Sequence, residues 1–157
     1  MQIHIQPPTT EEAYQDIRHL LKQYARMRNY DPALDNFAHE LKALDKLYAA
    51  PEGAILLARR AKTPVGCVAL RALSGTKCEM KRLFVVPEMQ GQGIGRLLAE
   101  QIMEEGVALG YTSMYLDTHP WMTSAHGLYQ SLGFKETTRY NQNPTPGIRF
   151  FVTFFHA

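Results

Sequence analysis

Residues 83–96 read LFVVPEMQGQGIGR: an apolar run, a proline, three glycines at alternate positions, then helix formers. Glycine inside a regular element costs roughly 0.5–1 kcal/mol relative to alanine. Gly91, Gly93 and Gly95 so close together imply that something must approach the backbone closely. A strand that ends in a stripped turn and restarts as a helix gathers unpaired N–H groups and the positive end of a helix dipole around one concavity. An anion such as a pyrophosphate fits there, with Gln90 and Arg96 as flanking donors. Two familiar phosphate loops fail on spacing. The dinucleotide fingerprint G-x-G-x-x-G meets Arg96 at the third position after Gly93. The triphosphate loop needs Lys-Ser/Thr after its last glycine, where Arg96-Leu97 stands.

Outward from this stretch, the 157 residues fit one domain, 1–157, with a single core. Hydrophobic residues make up 45% and charged residues 20%, a soluble globular composition. The net charge of +2 argues for neither nucleic acid nor membrane. No apolar run approaches the roughly 20 residues of a membrane span, and MQIHIQPPTT does not read as a signal peptide. Cys67 and Cys78 flank a turn at Ser74-Gly75-Thr76. A hairpin centred on Gly75 sets Cys78 opposite about residue 72, so a disulfide to Cys67 is out of reach. Both read as reduced, small apolar residues of a cytoplasmic protein.

Ile3 and Ile5 alternate with polar residues as a short strand. Thr9 or Thr10 caps a helix over 11–28, with Ala13, Ile17, Leu20, Leu21 and Tyr24 at helical spacing. After the break at Asn29-Tyr30-Asp31-Pro32, Phe37, Leu41, Leu44 and Tyr48 mark a second helix. Strands follow at about 54–60, 64–73 and 77–86. A helix over about 93–109 carries the apolar stripe Ile94, Leu97, Leu98 and Ile102, with Gly110 past its end. A strand at 112–118, a helix at 122–132 and strands near 134–139 and 147–155 complete the order. Tight turns between most strands predict an α/β fold, a mixed and mostly antiparallel sheet of about seven strands flanked by about four helices.

Gln90-Gly91-Gln92-Gly93-Ile94-Gly95 resembles the Q/R-x-x-G-x-G/A loop of the GCN5-related N-acetyltransferase (GNAT) superfamily, and its L-x-V-x-P strand precedes it. Leu128-Tyr129-Gln130-Ser131-Leu132-Gly133-Phe134 resembles that superfamily's LYxxLGF signature. The resemblance implies acetyl-CoA as donor substrate and an amine as acceptor. It implies that Leu83, Phe84 and Val85 offer backbone groups to the pantetheine arm, and that Gln90 through Arg96, with Gln92 and Ile94 among them, cradle the diphosphate. Tyr129 resembles the superfamily's general acid; a phenol with a reference pKa near 10 is protonated at pH 7 and can supply the departing thiolate with a proton. Packing beside Leu132 and Phe134 is its other reading. Many members carry Asn seven residues before that tyrosine; here Met122 stands there, with Ser124 as a replacement donor.

For the base, period-2 alternation sets Glu79, Lys81, Leu83 and Val85 on one strand face. Glu79 occupies the position of the glutamate base in the histone-acetylating branch, about 13 Å of strand from Leu83, so a water would relay the proton. A solvated carboxylate is the alternative. His119 and Trp121 are candidate acceptor-site residues, as is the Pro-bounded loop carrying Arg139, Tyr140, Asn141 and Asn143. No C-x-x-C or H-x-x-x-H spacing supports a metal. His19 and His39, like the Lys22, Arg26 and Arg28 cluster, read as solvated helix faces. The aromatic tail completes the sheet or buries against a second subunit in a homodimer.

These readings combine into an acetyl-CoA-dependent N-acetyltransferase acting on a small-molecule amine by direct attack in a ternary complex, with no acetyl-cysteine intermediate. A protein lysine or N-terminus is the alternative acceptor. A non-catalytic acyl-CoA-binding module is the alternative of another class.

Overall fold

The computed structural model describes residues 2–27, 36–120 and 122–155. Arg28, the break at 29–32 and Trp121 therefore lie outside the described residues. In chain order come β1 (Ile3–Gln6), α1 (Glu11–Met27), α2 (Phe37–Lys42), α3 (Leu44–Leu47), β2 (Ala54–Arg60), β3 (Thr63–Ser74) and β4 (Lys77–Val85). A 3₁₀ turn at Pro87–Met89 leads to α4 (Ile94–Ala108), β5 (Ser113–Thr118), α5 (Thr123–Ser131), β6 (Lys135–Thr137) and β7 (Arg149–Phe154). The seven strands form one sheet in the order β1-β2-β3-β4-β5-β7-β6. Among the described residues only β4 and β5 pair in parallel.

Local chemistry sets the element ends. Thr10 caps α1, its Oγ1 accepting from the Ala13 N–H at 3.1 Å. Helix α4 closes on Gly110, whose φ is 95°. The Gly110 and Tyr111 N–H groups return to the Val107 and Gly106 carbonyls at 3.0 and 3.1 Å, a Schellman ending. The second helix of the sequence reading is two short pieces, interrupted at Ala43. In α4, Ile94, Leu98, Ala99 and Ile102 face the core, but Leu97, expected in the stripe, is 46% exposed. Ala99 takes the inward place instead, which lets the helix lie close to the sheet.

The helices α1 and α4 lie on opposite faces of the sheet. Phe84 points to α1, its ring edge-on to Tyr24 at 5.7 Å. Its neighbours point the other way: a Cβ on Gly66, paired with Val85, would come within 3.0 Å of Leu98 of α4. Ala72 pairs with Cys78 and Cys67 with Phe84, and both cysteines are free and buried.

One sequence expectation fails in β4. Cys67 pairs with Phe84 and Ala69 with Lys81, so Val68 alone stands opposite both Arg82 and Leu83. This is a β-bulge, and Arg82 adopts φ 62°, a conformation that costs a non-glycine residue roughly 1–2 kcal/mol. The extra residue reverses the alternation. Glu79 and Lys81 share a face with Phe84, while Val85 lies on the α4 face. Glu79, Lys81, Leu83 and Val85 are therefore not on one face.

Candidate active site

β4 and β5 part company half-way along. Among the described residues they pair only at Lys77–Ser113, Cys78–Met114 and Glu79–Tyr115, yet β4 continues to Val85 and β5 to Thr118. Beyond the fork, the β4 backbone groups aimed at β5 have no ladder partner, the requirement for an extended ligand to add as a strand. A cleft of about 820 Å³ lies along β4 beyond this fork; among the described residues, neither Glu79 nor any residue of β5 lines it. Its walls include Leu83, Phe84 and Val85 from β4, Gln90, Gly91, Gly93, Ile94, Gly95 and Arg96 from the loop and α4, and Ser124, Leu128 and Tyr129 from α5. Every residue expected at the donor site lines it except Gln92.

The loop's glycines have two separate causes. Gly91 and Gly93 have φ of 80° and 85°, which side chains resist. Gly95 has ordinary helical geometry; a Cβ there would sit 3.7 Å from Leu128 and 3.8 Å from Val85, between two walls of the cleft. The fold tolerates a methyl group there, but the cleft would lose width. Among the described residues no side chain caps α4 at Gly93, which leaves the first N–H groups of the helix to a ligand at this end of the cleft. Gln90 serves as a brace: its Nε2 donates to the Val85 carbonyl at 2.9 Å, tying loop to strand. Arg96 reaches across to donate to Ser131 Oγ on α5.

Tyr129 is set by the end of its own helix. The Gly133 and Phe134 N–H groups donate to the Gln130 and Tyr129 carbonyls at 3.1 and 3.0 Å, a second Schellman ending. That ending folds the Phe134 ring onto Tyr129, centroid to centroid 5.8 Å. The LYxxLGF stretch is thus a device for orienting one tyrosine, which is 6% exposed and lines the cleft. Met122, where Asn was the expected residue, also lines the cleft, as does Ser124. His126 anchors the head of the same helix. Arg149 Nη1 donates to His126 Nδ1 at 2.9 Å, which leaves Nε2 to donate to the His119 carbonyl at 3.0 Å. His119 and His126 therefore meet through a backbone oxygen.

Glu79 sits at the crotch of the fork and is fully buried. Its Oε1 accepts from Arg71 Nε at 3.0 Å, and its Oε2 from the Tyr140 hydroxyl at 2.6 Å and Asn141 Nδ2 at 3.3 Å. Three of about four lone-pair positions are thereby used. Asn141 Nδ2 also donates to Asp117 at 2.7 Å, as does Asn143 Nδ2 at 3.2 Å. The loop of residues 138–148 thus folds back over the fork. Burial, then the neighbouring carboxylate, pushes the Tyr140 phenol well above its usual value, so it remains a donor. The sequence singled out Tyr140 and Asn141 without their link to Glu79, 61 and 62 residues away.

Residues 14–134 match the Acetyltransferase (GNAT) family. The chain belongs to that family. GNAT relatives include an N-acetyltransferase of Schizosaccharomyces pombe, 39% identical over 135 residues, 85% of this chain and 83% of the relative. The chain is also similar to the [ribosomal protein bS18]-alanine N-acetyltransferase of Escherichia coli, 32% identical over 71% of this chain and 78% of that protein. An acetyltransferase structure from Streptococcus agalactiae superposes with a TM-score of 0.82 at 21% identity, covering 98% of each chain. The PaiA N-acetyltransferase of Thermoplasma acidophilum, solved with coenzyme A, superposes at 0.73 with 16% identity, over 99% of this chain and 100% of that one. This GNAT chain is therefore an acyltransferase with the family's mixed sheet. Among its described residues no helix is long and apolar enough to cross a membrane.

Proposed function

We propose that this protein transfers the acetyl group of acetyl-CoA to the primary amine of a small molecule, with both substrates bound together. The observation that carries the reading is the fork of β4 and β5 opening beside the uncapped end of α4, with Tyr129 in the same cleft. The residues present suit the coenzyme. The α4 N–H groups and Arg96 would hold the diphosphate, the width left at Gly95 would admit the chain beyond it, and the unpaired β4 groups would bond the pantetheine arm. N–H groups of Leu83–Val85 would take the growing negative charge of the acetyl oxygen; such a donor contributes about 2.7–4 kcal/mol in other acyl transfers.

In this account Glu79 receives the amine proton through a relaying water, and the amine nitrogen bonds to the acetyl carbon. Tyr129 then gives its proton to the sulfur as the carbon–sulfur bond breaks. The loop of Tyr140, Asn141 and Asn143 covers the fork above Glu79, which favours a small acceptor over a protein segment. The similarity to an alanine N-acetyltransferase supports a protein N-terminus as the second reading. A panel of small amines, amino acids, an alanine-initiated peptide and a lysine peptide, assayed for acetyl-CoA-dependent thiol release, separates these. Release with small amines alone is expected. Release with peptides alone would move the acceptor to proteins, and coenzyme binding without any release would leave a non-catalytic module.

A further inference from the structure

Arg82, at the bulge of β4, is held from outside the cleft. Its Nη2 and Nε donate to Glu40 Oε1 and Oε2 at 2.6 and 2.8 Å, a two-pronged ion pair with a residue of α2. The Tyr48 hydroxyl donates to the same carboxylate at 3.0 Å. The guanidinium also lies over the rings of Tyr24 and Phe37, at 5.8 and 5.4 Å. The side chains of Arg82 and Glu40 are only 9% and 11% exposed. An ion pair this deep gains little net stability over apolar packing of the same shape, because both charges lose water. It does fix position. The position at stake is a backbone conformation that arginine resists, at the residue immediately before Leu83, Phe84 and Val85 of the cleft wall.

We infer that Arg82 and Glu40 are positioning residues for the transfer: their clamp keeps the bulge in place and so aims the Leu83–Val85 backbone groups into the cleft. The inference rests on the proposed use of those groups toward acetyl-CoA. No described residue of α2 lines the cleft, yet α2 sets the direction of its most important wall. The clamp acts in the transition state more than on the bound donor, because a slightly misaimed N–H group still tolerates a neutral carbonyl but loses most of its effect on developing charge.

Two substitutions probe the clamp. Glu40→Gln keeps the shape and removes the charge. Arg82→Gly accepts the same backbone conformation without strain but carries no guanidinium. With an amine the wild-type protein accepts, each variant should show kcat lowered about tenfold or more and an acetyl-CoA KM within about threefold of wild type. The double variant should be no slower than the worse single one, since both remove the same interaction. A merely structural clamp would lower the melting temperature and leave kcat intact; wild-type kcat in both folded variants overturns the inference alone. Should Arg82→Gly fold poorly, Glu40→Gln decides by the same criterion. A wild-type protein that neither binds coenzyme A nor releases thiol would overturn the reading of the cleft, and this inference with it.

Discussion

The Phe134 ring rests on Tyr129, at 5.8 Å between centroids, because a Schellman turn through Gly133 folds the chain back across the end of α5. The turn and the ring contact together orient the tyrosine ring. Tyr129→Phe should fold normally, since the ring contacts persist. Its kcat should fall roughly tenfold or more with coenzyme affinity unchanged. Steady-state kinetics beside a calorimetric titration measures both, and an unchanged kcat would remove Tyr129 from proton transfer.

Gly95 and Gly93 should answer alanine in opposite ways. At Gly95, in the first turn of α4, alanine improves helix propensity by up to about 1 kcal/mol and narrows the cleft between Val85 and Leu128. The variant should melt higher and bind coenzyme A more weakly. At Gly93, with φ 85°, alanine meets backbone strain of roughly 1–2 kcal/mol and should melt lower. Thermal denaturation with and without the coenzyme distinguishes the two.

Burial pushes the thiols of Cys67 and Cys78 up to about 12 each. Neither offers a thiolate at neutral pH. In the folded protein at pH 8, alkylation of both should be slower by orders of magnitude than in urea, and acetyl transfer should survive thiol reagents. Because these folded values lie above the unfolded one near 8.5, the thiols also contribute to a loss of stability as pH rises beyond it. Rapid labelling of the native protein, read by intact mass, would contradict this account.

The Glu40–Arg82 pair predicts a signature in acid. Burial raises the Glu40 carboxyl, but the hydrogen bond and charge of Arg82 outweigh it and hold the group below the usual carboxylate range. A depressed value means stability that is complete above the unfolded pKa near 4.3 and is lost as pH falls through the folded one. The stability difference between wild type and Glu40→Gln should therefore be constant above about pH 5 and shrink below about pH 4. Urea denaturation across that range reads it directly. A difference that persists unchanged to pH 3 would mean the charge contributes nothing.

Much of this architecture is legible in local pattern. The Gly75 hairpin, the caps at Thr10 and Gly110, and the glycine loop follow from rules that span a few residues, and Cys78 does lie opposite Ala72. The glycine-loop wall of the cleft was readable for the same reason, because its residues are contiguous. What escaped depends on distance or on one irregular residue. Nothing in the alternation of β4 announces a bulge at Arg82, and one extra residue was enough to move Val85 to the face opposite Glu79. Contacts across 42 residues, such as Arg82 with Glu40, have no local signature. Part of that signal was present, since Glu40 falls on the stripe of Phe37, Leu44 and Tyr48 and so had to be buried with a partner.

The central claim, that coenzyme A lies along the fork with its diphosphate at the head of α4, is tested most directly by backbone amide NMR during a coenzyme A titration. Saturable shifts should be largest at Gly91, Gly93, Ile94, Gly95 and Arg96, and extend along Leu83, Phe84 and Val85. Shifts confined to other parts of the sheet, or none at millimolar coenzyme, would contradict it.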